Sequence, residues 1–329
     1  MYMPHPETLG KHQHAVLACD VGGTDIKISL MDTLGRLIGL RRVPTARGGD
    51  HKAHTVAALI AQVLSELRQE HPAVVPASAG ISVPGIVDEE NGTCVYSRNL
   101  GWRDVPIRDI LSERLGLPVA LGHDVRSAGL AELTLGPHRG ARNAVIMIIG
   151  TGIAGAIVAD GRPVVSGGYA GEIGQGRVSS YTNTTATRLG QTPPNAPIPL
   201  LEDIASARGI ARQYHERSGN PTTDSREVLR LMESGDAVAR DVWNEAVDAL
   251  AEAISQCASI TAPEVVILGG GLSEAGEALI DPIRARLSAL LAVQRNPRIA
   301  SASLGGNAGL IGSALLGRSL STVRAGGPE

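Results

Sequence analysis

Three glycine clusters in the sequence each follow an apolar segment that predicts a β-strand. They are Asp20-Val21-Gly22-Gly23-Thr24, Gly150-Thr151-Gly152 and Gly269-Gly270-Gly271. Backbone N–H groups of glycine approach an anion without obstruction by a Cβ atom, so such turns suit phosphate groups. One cluster alone is equally well explained by an ordinary hairpin turn. Three clusters at strand ends, in both halves of the chain, favour phosphate and nucleotide binding, because glycine costs conformational entropy on folding.

Two aspartates lie at the ends of predicted strands and carry the side chain that phosphoryl transfer requires. Asp20 could hold Mg²⁺ directly or through water, since Mg²⁺ binds few carboxylates and keeps most of its waters. Asp124 lies between a predicted strand, residues 118–121, and a predicted helix from Val125, at the kind of position where open α/β sheets have their chemistry. An N-cap role for Asp124 is the alternative. In phosphoryl transfer, one carboxylate that accepts the hydroxyl proton is sufficient.

Further polar side chains have the pattern of a sugar-binding site. The segment Gly171-Glu172-Ile173-Gly174-Gln175 presents two polar side chains between glycines, and such a fork can donate to and accept from vicinal hydroxyls. A surface turn would have the same pattern. Glu202 begins a predicted helix, where a carboxylate also interacts favourably with the helix dipole, so both interpretations of Glu202 stay open.

The elements that must position these residues include the same β-meander twice. Strands are predicted over residues 15–21, 26–31 and up to 43, and again over residues 145–149, 153–159 and 163–165. A glycine-threonine turn follows the first strand of each meander, which predicts an internal duplication of one phosphate-binding unit.

Elsewhere helices alternate with strands, which predicts an α/β fold. Residues 51–70 have apolar side chains at helical spacing. Further helices are predicted over residues 107–115, 125–135, 201–216, 226–232, 237–260, up to 291 and 307–316. Residues 179–199, rich in Thr, Pro, Asn and Gly, predict an irregular loop that could act as a lid.

Composition excludes several classes of protein. A length of 329 residues predicts two domains, and 43% apolar residues without any Phe predict an aliphatic interior. A formal charge of −3 offers no basic surface for nucleic acid. Three widely spaced cysteines, Cys19, Cys94 and Cys257, argue against a disulfide framework and favour a reducing cytoplasm. No apolar run approaches the roughly 18 residues of a membrane span, and the N-terminus lacks the apolar core of a signal peptide.

Taken together, these motifs resemble the ROK family (repressor, open reading frame, kinase), whose members are mostly bacterial sugar kinases. The resemblance covers nearly the whole chain. It implies a two-lobed actin/hexokinase-like ATPase fold, with ribonuclease H-like lobes and an active site in the interlobe cleft. On this basis we expect tails at residues 1–14 and 319–329, an N-terminal lobe of residues 15–124 plus 307–318, and a C-terminal lobe of residues 125–306.

The resemblance also implies roles for individual residues. Asp124 would be the catalytic base, and ATP with Mg²⁺ would be the phosphoryl donor. The ATP phosphates would lie between residues 20–24 and 150–152, with residues 269–271 near the adenosine. The substrate-binding set comprises Ser82, Gly85, Asn99, His123, Asp124, Glu172, Gln175 and Glu202, and the ATP-binding set comprises Asp20, Gly22, Gly23, Thr24, Gly150, Thr151, Gly152, Gly269, Gly270 and Gly271.

The chain departs from the family pattern at four places. Asp25 stands where the family usually has Lys after Gly-Gly-Thr, and His123 stands where it usually has Asn before the catalytic Asp. Gln175 replaces a His that touches the sugar and ligates zinc, and the downstream cysteine cluster is missing, so we expect no structural zinc. Because His123 and Gln175 are altered, a glucose preference does not transfer, and glucose, N-acetylglucosamine, N-acetylmannosamine, fructose and allose stay candidates.

The sequence therefore predicts a cytoplasmic, ATP-dependent sugar kinase that forms a homodimer or tetramer and binds neither membrane nor nucleic acid. A sugar-binding sensor with the same fold is the alternative, motivated by Asp25, His123 and Gln175. Polyphosphate could replace ATP. A Rossmann dehydrogenase is disfavoured because no G-x-G-x-x-G follows the first strand. A ROK repressor is disfavoured because only a short segment precedes Ala15, where such repressors carry a DNA-binding domain.

Overall fold

A computed structural model describes residues 14–45, 52–179, 198–222 and 224–325. The chain divides into two compact units. The first contains residues 1–140, 165–170 and 306–329, and the second contains residues 141–164 and 171–305. Each unit is built around one five-stranded sheet.

The sheet of the first unit has the strand order β3-β2-β1-β4-β8. β1 pairs antiparallel with β2 and parallel with β4, which pairs parallel with β8. β5, β6 and β7 form a separate antiparallel ribbon. The strands are β1 Ala15–Val21, β2 Asp25–Met31, β3 Leu37–Pro44, β4 Pro76–Val83, β5 Ile86–Asp88, β6 Thr93–Ser97, β7 Trp102–Val105 and β8 Val119–His123.

Aliphatic side chains hold this unit together, as the composition predicts. Its helices are α1 Lys52–Glu70, α2 Ile107–Leu115, α3 Asp124–Leu135 and the C-terminal helix, Ala308–Ala325. One core forms where α1 and α2 meet the sheet, around Leu17, Ile60, Ile81 and Leu111. The C-terminal helix contacts β1, β4, β8 and α3.

The sheet of the second unit repeats the topology of the first. Its order is β11-β10-β9-β12-β13, with two antiparallel pairs followed by two parallel pairs. The five strands are β9 Ala144–Ile149, β10 Ile153–Ala159, β11 Arg162–Pro163, β12 Val265–Gly269 and β13 Arg298–Ser301. The predicted internal duplication is therefore confirmed at the level of strand order and direction.

Helices of the second unit bury one face of this sheet. They are α4 Leu201–Ala205, α5 Ala207–Ser218, α6 Ser225–Glu233, α7 Ala237–Thr261 and α8 Glu277–Leu290. The C-terminal helix Ala308–Ala325, which belongs to the first unit, is labelled α9. The core includes Met147 and Leu268 from the strands and Trp243, Leu250 and Ile283 from the helices.

Three predictions about boundaries differ from the structure. The helix predicted over residues 201–216 is two helices, because Ser206 is extended and its Oγ accepts a hydrogen bond from Gly209 N. The final helix does not end near residue 316 but continues to Ala325. Residues from 125 were expected in the C-terminal lobe, but α3 lies in the first unit. The reason is that α3 packs against α9. Most of the predicted loop, residues 180–197, lies outside the described residues.

Candidate active site

Three parallel strands of the first unit end at one edge of their sheet and bring the candidate catalytic residues to that edge. In the register of these strands, Asp20 on β1 is the partner of Ser82 on β4, and Val83 is the partner of His123 on β8. Asp124 follows directly as the first residue of α3. The carboxyl ends of parallel strands are the usual location of a ligand site in an α/β sheet.

The Asp20 carboxylate has two polar partners, Ser82 and Lys27. Ser82 Oγ donates a hydrogen bond to Asp20 Oδ1 at 2.9 Å, and Ser313 Oγ on α9 donates to Ser82 Oγ at 2.9 Å. Lys27 Nζ lies 3.7 Å from Asp20 Oδ2 and donates to the carbonyl of Gly306. A Cβ atom at position 309 would lie 2.8 Å from Asp20 Oδ2, so α9 approaches the carboxylate through a glycine, Gly309.

The pKa of Asp20 is raised above its usual range. Burial is the main cause, and the nearby negative charge of Asp124 adds to it, while Lys27 and the Ser82 hydrogen bond act in the opposite direction. A buried carboxylate whose proton affinity is raised further by a second carboxylate nearby is a favourable place for a divalent cation. Asp20 therefore fits the role of a Mg²⁺ ligand, with water completing the coordination.

Asp124 is not the N-cap of the helix that it begins, in contrast to the alternative role weighed for it above. The N-cap is His123, which has an extended backbone and whose Nδ1 accepts a hydrogen bond from Arg126 N. Asp124 Oδ1 accepts from Val125 N at 2.7 Å and lies 3.1 Å from His123 Nε2. The Asp124 side chain is 35% exposed, so its carboxylate can reach a ligand.

The pKa values of Asp124 and His123 are reversed from their usual order, so that the carboxylate binds a proton more tightly than the imidazole does. Burial raises the pKa of Asp124 to about 6, although the Val125 N–H and the Arg126 charge oppose the rise. Burial and the positive charge of Arg126 lower the pKa of His123 to about 3, against a smaller effect of Glu89. At neutral pH Asp124 is therefore an anion with appreciable basicity, and His123 is a neutral imidazole.

A buried ion pair that has no signal in the sequence lies behind His123. Arg126 Nε donates to Glu89 Oε1 at 2.7 Å, and His123 N donates to the same oxygen at 3.0 Å. Arg126 Nη2 also donates to Val87 O. Both charged side chains are buried, with 5% and 9% of their surface exposed. Glu89 and Arg126 are 37 residues apart in the sequence. No local pattern predicts their pairing, because the two side chains meet only when the end of β5 packs against α3.

Residues of the first glycine cluster form the β1–β2 turn. Gly22 N donates to Asp25 O within this turn, so that N–H is not directed at a ligand. Thr45 fixes the turn through Oγ1, which donates to Gly22 O, and through its backbone N, which donates to Thr24 O. A Cβ atom on Gly23 would lie 3.0 Å from the Cβ of Asn99, which brings a predicted phosphate residue beside a predicted sugar residue.

Gly85 directly precedes the β5–β6–β7 ribbon of the first unit, and Asn99 lies in the turn between β6 and β7. Gly85 has φ +113°, and a Cβ atom there would lie 2.2 Å from Tyr96 O, so only glycine fits. Asn99 is exposed in the turn before β7. Asp25 is paired with Arg42, whose Nε lies 3.0 Å from Asp25 Oδ2.

In the second unit, the glycine turn at residues 150–152 contacts the predicted sugar-binding residue Glu202. Gly150 N donates to Gly152 O, and Ala207 N at the start of α5 donates to Gly150 O. A Cβ atom on Gly152 would lie 3.0 Å from Glu202 Oε2. The neighbouring Thr151 is exposed. Glu202 and the glycine turn therefore share one surface.

Gln175 and Glu202 are directly hydrogen-bonded, as two members of the predicted substrate-binding set. Gln175 Nε2 donates to Glu202 Oε1 at 2.9 Å. Glu172 precedes the short 3-10 helix Ile173–Gln175. The pair presents one amide and one carboxylate, which is a hydrogen-bonding fork suited to hydroxyls. Among the described residues no three His, Cys, Asp or Glu side chains group as metal ligands, and the absence of zinc stays a prediction.

The third glycine cluster has one member at a cavity. Gly269 and Gly270 adjoin β9, where added Cβ atoms would lie 2.6 Å from the Ile148 side chain and 2.4 Å from Ile149 O. Gly271 lines a cavity of about 410 Å³ in the second unit. The other lining residues are Ser225, Arg226, Leu229, Arg230, Glu233, Trp243, Leu272, Glu274 and Ala275.

A family model described as the ROK family matches residues 16–319. The chain belongs to the ROK family. The glucokinase of Halalkalibacterium halodurans is 32% identical over 321 residues, which cover 90% of this chain and 93% of the relative. The N-acetyl-D-glucosamine kinase of Citrobacter koseri is 32% identical over 305 residues, which cover 90% and 97% of the two chains.

A solved ROK structure agrees with the fold. A ROK family glucokinase from Streptomyces griseus, in complex with glucose and AMPPNP, has a TM-score of 0.72 and 25% identity. The match covers 93% of this chain and 99% of that chain. The actin/hexokinase-like ATPase fold predicted from the sequence is confirmed. No helix among the described parts of this ROK protein is long and apolar enough to cross a membrane.

Proposed function

We propose that this ROK protein is an ATP-dependent sugar kinase in which Asp124 is the general base. The observation that carries the proposal is the Asp124 carboxylate, which is partly exposed at the carboxyl end of β8 and has a pKa of about 6. A general base is most effective when its pKa lies near the working pH. Asp20, the proposed Mg²⁺ ligand, lies near the end of β1, which is separated from β8 by β4 in the same sheet.

The reaction needs one proton transfer and one phosphoryl transfer. Asp124 accepts the proton of a sugar hydroxyl as its oxygen forms a bond to the γ-phosphorus of ATP. The bond between that phosphorus and the β,γ-bridging oxygen breaks, and ADP leaves with the electron pair. Mg²⁺ bound through Asp20 and water would neutralise the phosphate charge.

ATP is favoured as the donor by the cavity beside Gly271. Its volume of about 410 Å³ falls in the range of small-molecule sites, and Leu229, Trp243 and Leu272 give it apolar lining. An aromatic base needs such a lining, whereas polyphosphate has no apolar part. Glycine turns at residues 22–24 and 150–152 are proposed to contact the phosphates. The relative solved with AMPPNP supports the nucleotide as donor.

For the sugar, Ser82, Gly85, Asn99 and His123 in the first unit, and Glu172, Gln175 and Glu202 in the second, are proposed as the binding set. The substrate is a hexose or N-acetylhexosamine. Relatives named glucokinase and N-acetyl-D-glucosamine kinase are equally identical to this chain, at 32%, so neither sugar is preferred.

The experiment that tests the proposal measures ADP release from Mg·ATP across a panel of hexoses and N-acetylhexosamines, with polyphosphate as an alternative donor. Turnover that depends on one sugar supports the kinase and identifies the substrate. Heat of sugar binding in calorimetry, without ADP release for any sugar, would instead establish the sensor that the departures at Asp25, His123 and Gln175 motivate.

A further inference from the structure

The ion pair of Glu89 and Arg126 joins three parts of the first unit. Glu89 lies directly after β5, and Arg126 lies in the first turn of α3. Glu89 Oε1 accepts from Arg126 Nε at 2.7 Å and from His123 N, at the end of β8, at 3.0 Å. Arg126 Nη2 donates to Val87 O on β5 at 3.0 Å. The pair therefore connects the end of β5 to the last residue of β8 and to the first turn of α3.

Asp124 lies inside the segment that these hydrogen bonds hold. One bond is made by the preceding residue, His123, and the others are made by Arg126, which follows Asp124 in the same turn. His123 Nδ1 also accepts from Arg126 N at 3.4 Å, which closes the turn. The Asp124 carboxylate is attached to this turn, because its Oδ1 accepts from Val125 N at 2.7 Å. A movement of residues 123–126 relative to β5 would therefore move the carboxylate with them.

On its other side, the pair holds the β5–β6–β7 ribbon, which carries two of the proposed sugar-binding residues. Gly85 directly precedes β5, and Asn99 lies in the turn between β6 and β7. β5 pairs with β6, and β6 pairs with β7, so the three strands form one hydrogen-bonded body. A shift of β5 against α3 would therefore change the distance between this ribbon and the Asp124 carboxylate.

The burial of the pair limits what it can contribute to stability. Both side chains are shielded from water. A buried ion pair is often no more stabilising than apolar side chains of the same volume, because both charges lose their hydration. Its hydrogen bonds are nevertheless strong and directional, since charged partners shorten and strengthen them. The pair is therefore better suited to fixing a geometry than to raising the free energy of unfolding.

We propose that Glu89 and Arg126 are positioning residues that fix the β5–β6–β7 ribbon against the Asp124 carboxylate, a role that rests on the proposed function of Asp124 as the base. The ribbon residues would hold the sugar, and the pair would align the attacking hydroxyl with its base. Neither Glu89 nor Arg126 needs to touch the sugar or ATP. The alignment matters because a displacement of about 1 Å can lower a rate about 10²-fold.

The double variant Glu89→Ala/Arg126→Leu separates alignment from stability. It removes the three hydrogen bonds of the pair and leaves no charge buried without a partner, so it should be more stable than Glu89→Ala. Its kcat for sugar-dependent ADP release, per folded protein, should nevertheless fall about 30- to 100-fold below that of the wild type. KM for ATP should change less than about twofold, because the proposed ATP-binding residues are untouched.

Two further variants complete the comparison. Glu89→Gln keeps a carbonyl oxygen that can accept from both His123 N and Arg126 Nε, but it loses the negative charge. It should be less stable than the wild type, because the guanidinium charge is no longer neutralised, and its kcat should stay within about threefold. Glu70→Ala/Arg41→Leu removes an exposed ion pair of the same unit and should leave kcat unchanged.

The order of the variants distinguishes the two roles. If the pair serves stability alone, kcat measured per folded protein stays near the wild-type value in every variant. If the pair aligns the ribbon with Asp124, kcat follows the hydrogen bonds that each variant keeps. A double variant with a kcat near that of the wild type, or a Glu89→Gln protein as slow as the double variant, overturns the positioning role.

A second measurement does not need turnover. Amide hydrogen exchange, followed by mass spectrometry on peptides that cover residues 119–126, reports how firmly this segment is held. Exchange should be about tenfold faster in the double variant, because the acceptor of His123 N is lost, and nearly unchanged in Glu89→Gln. Exchange in the double variant as slow as in the wild type would show that the pair does not hold the segment, and would overturn the role.

Failure of the positioning role is distinguishable from failure of the kinase function. If no sugar supports ADP release by the wild type, the kinase function fails and the positioning role fails with it. If the wild type turns over but Asp124→Asn retains that activity, the base is another group, and both assignments at this site fail. If Asp124 is required and the double variant keeps its kcat, only the role of Glu89 and Arg126 is overturned.

Discussion

The carboxylate that we propose as the base is costly to the folded state of this protein. Asp124 has few polar partners for a charge in its position: Val125 N and His123 Nε2 on one oxygen, and the Arg126 charge nearby. Burial outweighs these contacts, which is why the pKa rises. The same environment that makes the group basic at neutral pH should destabilise the fold.

This cost leads to a prediction about pH and stability. The pKa of Asp124 is about 6 in the folded protein, against an ordinary value of 3.8, so the folded state binds its proton more tightly than the unfolded state does. The destabilisation is complete above pH 6 and disappears as the pH falls toward 3.8. At pH 7.5 the free energy of unfolding of Asp124→Asn should therefore exceed that of the wild type by about 1 kcal/mol, once solvent screening of this partly exposed group is included. Urea unfolding of the two proteins measures this difference.

The difference between the two proteins should shrink as the pH is lowered from 7.5 to 4.5. Asp20, whose pKa is also raised, is present in both proteins and does not contribute to the difference in a first approximation. Asp124→Asn that is less stable than the wild type at pH 7.5, or a gap that widens toward pH 4.5, would contradict this account of the carboxylate.

The buried ion pair behind His123 leads to a second prediction. Glu89→Ala leaves the Arg126 guanidinium buried without its partner and removes the acceptor of His123 N. We expect a loss of about 3 kcal/mol in the free energy of unfolding. Glu70→Ala is the matched control, because Glu70 pairs with Arg41 at the surface of the same unit. The control should change the urea midpoint little.

Equal losses in the two variants would show that the Glu89–Arg126 pair has no special role in the fold. A double variant with Arg126 also replaced by Leu tests the cause. It should be more stable than Glu89→Ala, because the uncompensated charge is gone.

At the residue level the sequence supports some assignments and misses others for a physical reason. Asp20, Asp124 and the glycine clusters could be predicted, because each follows a strand within a few residues of chain. Glu89, Arg126 and Ser313 could not, because their partners lie far away in sequence. Ser313 and Ser82 are separated by 231 residues and meet only after β4 packs on α9.

The second scale is that of the elements, where the contact between β4 and α9 is unusually close. A Cβ atom on Gly80 would lie 1.7 Å from the backbone oxygen of Ser313. No side-chain rotation relieves a contact with backbone, so a residue larger than glycine must push the helix off the strand. Because Ser313 contacts Ser82, and Ser82 contacts Asp20, this packing also positions the candidate Mg²⁺ ligand.

Gly80→Ala should therefore lower stability by about 3 kcal/mol or more. Gly116→Ala is the control in the same unit: Gly116 has φ +63° and no heavy atom within 4 Å of an added Cβ, so only the backbone strain of about 1 kcal/mol is expected. Urea unfolding of both variants measures the difference. A Gly80→Ala protein as stable as the Gly116→Ala protein would contradict the close approach of α9.

Most elements follow from local pattern, and the exceptions have local causes that the pattern does not express. β1, α2 and β10 occupy the predicted residues, because alternation and helical spacing are strong there. The break between α4 and α5 depends on the extended backbone of Ser206. The extension of α9 to Ala325 was not predicted, because the glycine at position 317 suggested an end. That glycine instead gives room beside Gly80.

On the scale of the whole molecule, one sheet topology occurs twice and carries different chemistry in each copy. The strand ends of the first unit carry the carboxylates, Asp20 and Asp124. The strand ends of the second unit carry the glycine turns at residues 150–152 and 269–271, beside Glu202 and the Gly271 cavity. The fold was predictable from this repetition and from the family motifs. The sugar was not, because its binding set includes residues, His123 and Gln175, whose partners only the structure reveals.

The central claim is that Asp124 is the base, and one comparison tests it most directly. Sugar-dependent ADP release by the wild type and by Asp124→Asn should be measured at pH 7.5, together with sugar binding by calorimetry. The account predicts that kcat falls by about 10²–10⁴-fold, while the dissociation constant of the sugar changes by less than about tenfold. A variant that binds the sugar and keeps a kcat near that of the wild type would contradict it.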